Sequence, residues 1–137
     1  PDEAIIPILE SIKQSARDNS SPDIEFEKII YGPPNREPRM IWLTGSKKTS
    51  QTLGQIANDL QDNLIKNGVR FKPENRPFNA HLTLARFNFG MSNIFKVKDV
   101  RHLNIESFTA QSLDLMESFL KFSGAEYETL TKIAFTK

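Results

Sequence analysis

Hydrophobic residues recur at two different spacings along this 137-residue chain, and the spacings predict two helices among five strands. Apolar residues three or four apart predict one helix over residues 5–16 and another over residues 49–67. The first should begin near Ile6, because Pro7 lacks an N–H, and Gly68 should close the second. Alternating or continuous apolar runs rich in β-branched residues predict the strands. These cover residues 23–31, 39–45, 80–87, 105–121 and 126–136.

The segments between these elements are typical of loops and turns. Residues 32–38 and 71–79 are rich in proline, and residues 90–102 suggest a loop with a short helical turn. The sequence "SGAE", residues 123–126, predicts a hairpin between the last two strands. Two helices among these strands indicate a single α+β domain over residues 1–137, with a largely antiparallel sheet.

Composition excludes several classes of protein. The chain has no cysteine, which excludes disulfides, thiolate metal sites and cysteine nucleophiles. No apolar run approaches the roughly 20 residues that a membrane-spanning helix needs. We therefore expect a soluble, cytoplasmic protein without a membrane partner.

Charge is nearly balanced overall but unevenly distributed. The net charge is +1, which argues against a general nucleic-acid coat protein. Residues 31–101 carry twelve bases and five acids, whereas both flanking segments are acidic. This central excess forms either an anion-attracting patch or a solvated mixed surface, and the sequence leaves both open.

The strand "HLTLAR", residues 81–86, holds one of only two histidines. In a regular strand, residues two apart share a face, so His81, Thr83 and Ala85 should lie together while the intervening leucines are buried behind them. Histidine can transfer protons near neutral pH, and a threonine hydroxyl can hold a phosphate oxygen. An ordinary strand histidine satisfied by its neighbours is the alternative. The same parity places Arg86 with the leucines unless a bulge, a bend or the strand end intervenes.

A longer match surrounds this strand. "RPFNAHLTLAR" resembles the second histidine–x–threonine motif of the two-histidine (2H) phosphoesterases, specifically the RNA 2′,3′-cyclic phosphodiesterases, also called 2′-5′ RNA ligase-like proteins. Ala80 stands where the family usually has proline. "PRMIWLTG" resembles the family's tryptophan-containing strand, and "LMESFLKFSGAEYETL" resembles its closing hairpin. The residues that match the motif are Phe78, His81, Thr83 and Arg86.

The resemblance implies a two-lobed fold, with antiparallel sheets and outer helices around a central cleft. It implies hydrolysis of RNA 2′,3′-cyclic phosphate ends to 2′-phosphates, and allows 2′-5′ RNA ligation, without a metal or other cofactor. His81 would be the general base and Thr83 would hold a nonbridging phosphate oxygen. Arg86 would contact the phosphate, and Phe78 would either stack on a base or fill the core. Trp42 is expected in the core.

Members of this family use two histidine–x–threonine motifs, and this sequence contains one. "PDEAIIPILESI", residues 1–12, resembles the family helix that follows the first motif, so we expect the N-terminal part with that motif to be absent from the chain. His102 has asparagine where threonine would stand and is expected to be a surface histidine. Two hypotheses remain. The chain is a phosphodiesterase completed by the missing segment, or a non-catalytic half-site module that binds phosphorylated nucleotide or RNA ends.

Overall fold

A computed structural model describes residues 2–88 and 104–137. It divides into two compact units. One unit comprises Pro1–Pro22, Gln55–Arg76 and Ala110–Lys137, and the other comprises Asp23–Gly54 and Pro77–Thr109. Helices and antiparallel strands occur together, which confirms the predicted α+β class. The helical turn predicted within residues 90–102, and His102 with it, lie outside the described residues.

Both predicted helices are present. A short 3₁₀ turn, Asp2–Ala4, leads into α1, Ile5–Asp18, and places Pro7 in the first turn, where no intrahelical N–H bond is lost. Helix α2, Lys47–Lys66, begins two residues earlier than predicted. The reason is an N-cap: the Ser46 hydroxyl accepts the N–H of Thr49 at 3.1 Å. Gly68 follows the helix with φ of +75°, as the sequence predicted.

Polar side chains join α1 to the second half of α2. The hydroxyls of Ser11 and Ser15 are fully buried, and each accepts an asparagine side-chain N–H, from Asn67 just after α2 and from Asn63 within it. Buried hydroxyls need such partners, because an unsatisfied one costs free energy of folding. Ile12 and Ala16 are buried on the same helix, as its apolar spacing predicted. The bonded pairs are Asn67–Ser11 at 2.9 Å, Asn63–Ser15 at 2.9 Å and Asn19–Asp59 at 2.8 Å.

The same unit contains a two-stranded hairpin. Strands β6, Ser112–Lys121, and β7, Gly124–Ala134, pair antiparallel, and both contact α1. The turn consists of Phe122 and Ser123, one residue earlier than predicted, and Gly124 has φ of +125°. Leu130 has no opposite residue on β6, because Met116 pairs with Thr129 and Leu115 pairs with Thr131.

The second unit holds two small sheets. Strands β2, Phe26–Gly32, β3, Met40–Gly45, and β4, His81–Arg86, form an antiparallel sheet in that order. Strands β1, Asp23–Ile24, and β5, Phe108–Thr109, form a separate pair. The strands predicted over residues 23–31 and 105–121 are therefore each divided in two. In the first, the break falls at Glu25, whose N–H donates to the Thr49 hydroxyl at 2.9 Å.

The predicted loop over residues 71–79 is tied back to α2. The N–H of Glu74 donates to the side-chain oxygen of Gln61 at 2.7 Å. The Arg76 guanidinium donates to both carboxylate oxygens of Glu74, and these bonds lower the pKa of Glu74 to about 2. Neither described helix is long and apolar enough to cross a membrane.

Candidate active site

Strand β4 pairs with β3 through a single irregularity. At the start of β4, His81 lies opposite Thr44 and Thr83 lies opposite Trp42. Further along, Ala85 lies opposite Ile41 and Arg86 opposite Met40. One step on β3 therefore spans two steps on β4, and Leu84 is the extra residue of a β-bulge.

The bulge changes which side chains share a face. Residues opposite each other on neighbouring strands lie on the same face, and alternate residues of β3 return to it. Arg86, opposite Met40, therefore joins His81 and Thr83 on one face of the sheet. Ala85 moves to the other face. The regular-strand expectation is wrong for Ala85, because it assumed an unbroken alternation. For Arg86 the sequence left a bulge open, and the register contains one.

Two side-chain contacts agree with this assignment. The guanidinium Nη1 of Arg86 lies 3.2 Å from the sulfur of Met40. The imidazole of His81 stacks on the indole of Trp42, with ring centroids 3.9 Å apart and planes inclined by 21°. Both contacts join residues that the register places on the same face, which we call the His81 face.

The His81 ring is held in one tautomer by its own loop. Its Nδ1 lies 2.8 Å from the backbone oxygen of Asn79. A carbonyl oxygen only accepts, so Nδ1 carries the proton of the neutral ring. The Nε2 lone pair is then the free base, and no residue within 2–88 or 104–137 bonds to it. The side chain is exposed.

The backbone just before His81 is anchored at Ala80. The Ala80 N–H donates to the Ser50 hydroxyl on α2 at 3.0 Å, and its carbonyl accepts the N–H of Gly45 at 2.8 Å. A proline, which the resemblance would place here, could not make the first bond. A Cβ on Gly45 would lie only 2.8 Å from that of Ala80, so position 45 needs glycine. The backbone at Ala80 is therefore fixed by hydrogen bonds, where a proline would be fixed by its ring.

Solved structures of other proteins share this arrangement of elements. TT0787 of Thermus thermophilus matches with a TM-score of 0.73 and 22% identity, over 98% of this chain and 72% of that chain. E. coli LigT complexed with 3′-AMP matches with a TM-score of 0.63 and 23% identity, over 95% and 70%. A structure described as a phosphoesterase gives the same values. No family model matches the chain.

The chain has the fold of LigT. Identities of 22–23% establish the fold and leave the activity open. The fold agrees with the 2H phosphoesterase resemblance that the "HLTLAR" strand suggested.

In this LigT-like fold the His81 face is basic. The register places Lys28 of β2 opposite Thr44, which is itself opposite His81, so the three form one row across the sheet. The face contains three basic side chains and no acidic one among its paired positions, and such a surface attracts anions. Sequence reasoning missed Lys28, because its place depends on two pairings that no local pattern specifies. The paired positions are Lys28, Ile30, Gly32, Met40, Trp42, Thr44, His81, Thr83 and Arg86.

Trp42 differs from its expected place in the core. Its side chain is half-buried and contacts His81, and its indole N–H is buried without a hydrogen-bond partner in the described part of the chain. The expectation is wrong because strand position alone does not say how completely a face of the sheet is buried. Trp42 belongs to the same face as the predicted site residues.

The leucines behind the site are less buried than predicted. Leu82 is 50% exposed and Leu84 is 52% exposed. Among the described residues β4 is an edge strand of the three-stranded sheet, with strand neighbours on one side only. Leu43, on the central strand opposite Leu82, is 7% exposed and supplies the buried back of the sheet.

Phe78 lies outside the row of site residues on β4. Its Cβ is 3.2 Å from the point that a Cβ on Gly54 of α2 would occupy, and the side chain is 45% exposed. Its role as a base-stacking residue stays a prediction. Among the described residues, no group of three or more histidine, aspartate or glutamate side chains could hold a metal ion.

Proposed function

We propose that this chain supplies one half of a two-histidine phosphoesterase site. With a second histidine–x–threonine strand, it would hydrolyse RNA 2′,3′-cyclic phosphate ends to 2′-phosphates. The observation that carries the proposal is the bulge at Leu84, which collects an imidazole, a hydroxyl and a guanidinium on one acid-free face. The fold shared with E. coli LigT, solved with 3′-AMP, supports a nucleotide ligand.

His81 acts as the general base in this reaction. Its unprotonated Nε2 takes a proton from water, and the water oxygen forms a bond to phosphorus. The bond from phosphorus to the 3′-oxygen breaks, and the second histidine protonates that oxygen. The products are a 2′-phosphate and a 3′-hydroxyl. Each proton transfer of this type contributes about 10²–10⁴ to the rate.

Thr83 and Arg86 restrain the phosphate while negative charge develops on its oxygens. The Thr83 hydroxyl donates to one nonbridging oxygen, and the Arg86 guanidinium can donate two parallel bonds to the phosphate. Within residues 2–88 and 104–137 no carboxylate pairs with Arg86, so no ion pair has to break first. No step of the proposed reaction is assigned to a metal ion.

Turnover tests the proposal directly. The 137-residue chain is compared with a two-motif polypeptide, in which this sequence is joined to a segment carrying a second histidine–x–threonine strand. With 2′,3′-cyclic nucleotides and a chelator present, the two-motif polypeptide should be faster by about 10²–10⁴, the contribution of one proton-transfer group. His81→Gln in the two-motif polypeptide should remove the gain. Equal rates for the two polypeptides would contradict the assignment.

A non-catalytic module is the second candidate. It is favoured by the sequence itself, which contains a single histidine–x–threonine motif, since His102 is followed by leucine and asparagine. Such a module would bind 3′-AMP through Thr83 and Arg86 without turnover. If the two-motif polypeptide binds 3′-AMP tightly yet hydrolyses no cyclic phosphate, the module is the better description.

A further inference from the structure

The contact between Trp42 and His81 is a diagonal pair across neighbouring strands. Trp42 lies opposite Thr83, and His81 lies opposite Thr44, one place further along the same face. Aromatic side chains reach each other across such diagonals. We infer that Trp42 is a positioning residue, whose indole fixes the orientation of the His81 imidazole, and that Gly32 is the residue that makes room for the indole.

Two separate contacts are needed to fix this ring. An exposed histidine has a second side-chain torsion with a broad energy minimum, so a single contact leaves the ring able to swing. The bond from Nδ1 to Asn79 fixes one atom of the ring. The stack at 3.9 Å fixes the plane of the ring. Together they give the Nε2 lone pair one direction, and a general base needs that direction to meet its proton.

Gly32 is required by packing against the indole. A Cβ on Gly32 would lie 2.4, 2.5 and 2.8 Å from the Cδ2, Cε2 and Cγ atoms of Trp42. Those distances are far shorter than van der Waals contact, so an alanine would force the indole to move. Gly32 lies opposite Met40 at the end of β2 and is buried. Its own φ is not in the left-handed region, and the three heavy atoms nearest to an added Cβ all belong to Trp42, so the restriction comes from packing against the indole.

Among residues 2–88 and 104–137 the buried indole N–H has no hydrogen-bond partner, which indicates that this position serves more than packing. A buried donor without a partner destabilises the folded state, and a phenylalanine would fill much of the same space without that donor. The larger indole ring offers more area to the imidazole. Departures from the rule that buried polar groups are hydrogen-bonded are expected at functional sites, and the contact with His81 accounts for this departure.

The orientation can be measured on the 137-residue chain without any turnover. Protons of an imidazole stacked on an indole are shifted upfield in the NMR spectrum by the ring current. In Trp42→Leu and in Gly32→Ala, the His81 ring protons should move downfield towards the positions of a freely exposed histidine. In Trp42→Phe, which keeps an aromatic face, they should stay close to the parent positions.

Two controls separate the stack from general damage. Tyr31→Leu removes an aromatic residue from the opposite face of the same sheet, where Tyr31 packs on the edge of Phe87 at 6.2 Å. It should lower stability and leave the His81 protons in place. Gly32→Ala should have no further effect in the Trp42→Leu background, because Gly32 acts only through the indole.

The consequence for turnover rests on the proposed function, whereas the orientation of the ring does not. In the two-motif polypeptide, Trp42→Leu should lower kcat by about ten- to a hundredfold with little change in KM, and Trp42→Phe should restore most of it. Unshifted His81 protons in Trp42→Leu would overturn the inference. An equal kcat for Trp42→Leu and parent would also overturn it. If the protons shift as expected while no version turns over, the positioning of the ring stands and the proposed function fails.

Discussion

Two antiparallel strand pairs in this protein each contain one extra leucine, with different consequences. Leu84 interrupts β4 opposite β3, and Leu130 interrupts β7 opposite β6. The two side chains are similarly exposed, at 52% and 48%. Beyond Leu130, the half-buried positions Thr131 and Ile133 continue in a hairpin that contacts α1. The bulge at Leu130 therefore affects the packing of the hairpin.

The bulge at Leu84 changes which functional groups share a face, because polar and charged residues flank it. A bulge moves every later side chain of its strand to the other face. On β4 the residues before it are His81 and Thr83, and the charged residue after it is Arg86. A single extra residue therefore affects packing in the β6–β7 hairpin, whereas in the β2–β3–β4 sheet it brings the candidate site residues to one face.

The largest expected effect is the loss of turnover when the imidazole of His81 is removed. In the two-motif polypeptide, His81→Ala should lower turnover by roughly 10²–10⁴, with little change in Tm, because the side chain is exposed. His102→Ala is the matched control and should keep the parent rate. A large loss of Tm for His81→Ala, with normal turnover of the folded fraction, would show that the histidine is structural.

Deleting each extra leucine tests the two bulges against each other. Removal of Leu84 should restore regular pairing and keep Arg86 opposite Met40 on the His81 face, so it should leave the affinity for 3′-AMP close to that of the parent. The double variant Ala85→Arg with Arg86→Ala, in contrast, sends the guanidinium to the opposite face. One charge-assisted contact is worth about 1.5–3 kcal/mol, so affinity for 3′-AMP should fall by about ten- to a hundredfold. Removal of Leu130 should lower Tm and leave the affinity unchanged. Calorimetric titrations and thermal melts provide both readings, and an unchanged affinity in the double variant would show that the face of the arginine has no functional meaning.

The geometry of the guanidinium can be tested at constant charge. Arg86→Lys keeps the positive charge but loses the fork that binds two oxygens, so affinity for 3′-AMP should fall by about tenfold. Arg70→Lys, at an exposed position after α2, should have no effect. Equal affinities for the two variants would place Arg86 outside the phosphate contact.

The smallest effect on the site is expected from the residues behind it, whose substitution should act on stability. Leu43→Ala should cost about 2–5 kcal/mol of unfolding free energy, because Leu43 is almost fully buried. Leu82→Ala should cost roughly half as much or less, because half of the side chain is already exposed. Denaturant titrations would measure both. Equal losses of unfolding free energy in the two variants would mean that Leu82 is more deeply buried than its exposed fraction indicates.

The sequence by itself determined the local elements and pointed to the candidate site residues. Apolar spacing was sufficient for α1 and α2, since helix periodicity is contained within the segment itself. The "HLTLAR" strand identified His81, Thr83 and Arg86 as one set, because those residue types can move a proton and hold an anion.

Only the tertiary structure decided how that set comes together. A bulge is defined by the partner strand, so nothing within β4 marks Leu84 as the residue without an opposite. Lys28 reaches the face through pairings on both sides of β3, and Gly32 matters only because an indole from another strand lies over it. Such contacts join residues far apart in the chain. An alternating sequence pattern has a period of two, so it cannot predict a single extra residue in a strand. It also cannot predict which ring from another strand packs against a glycine.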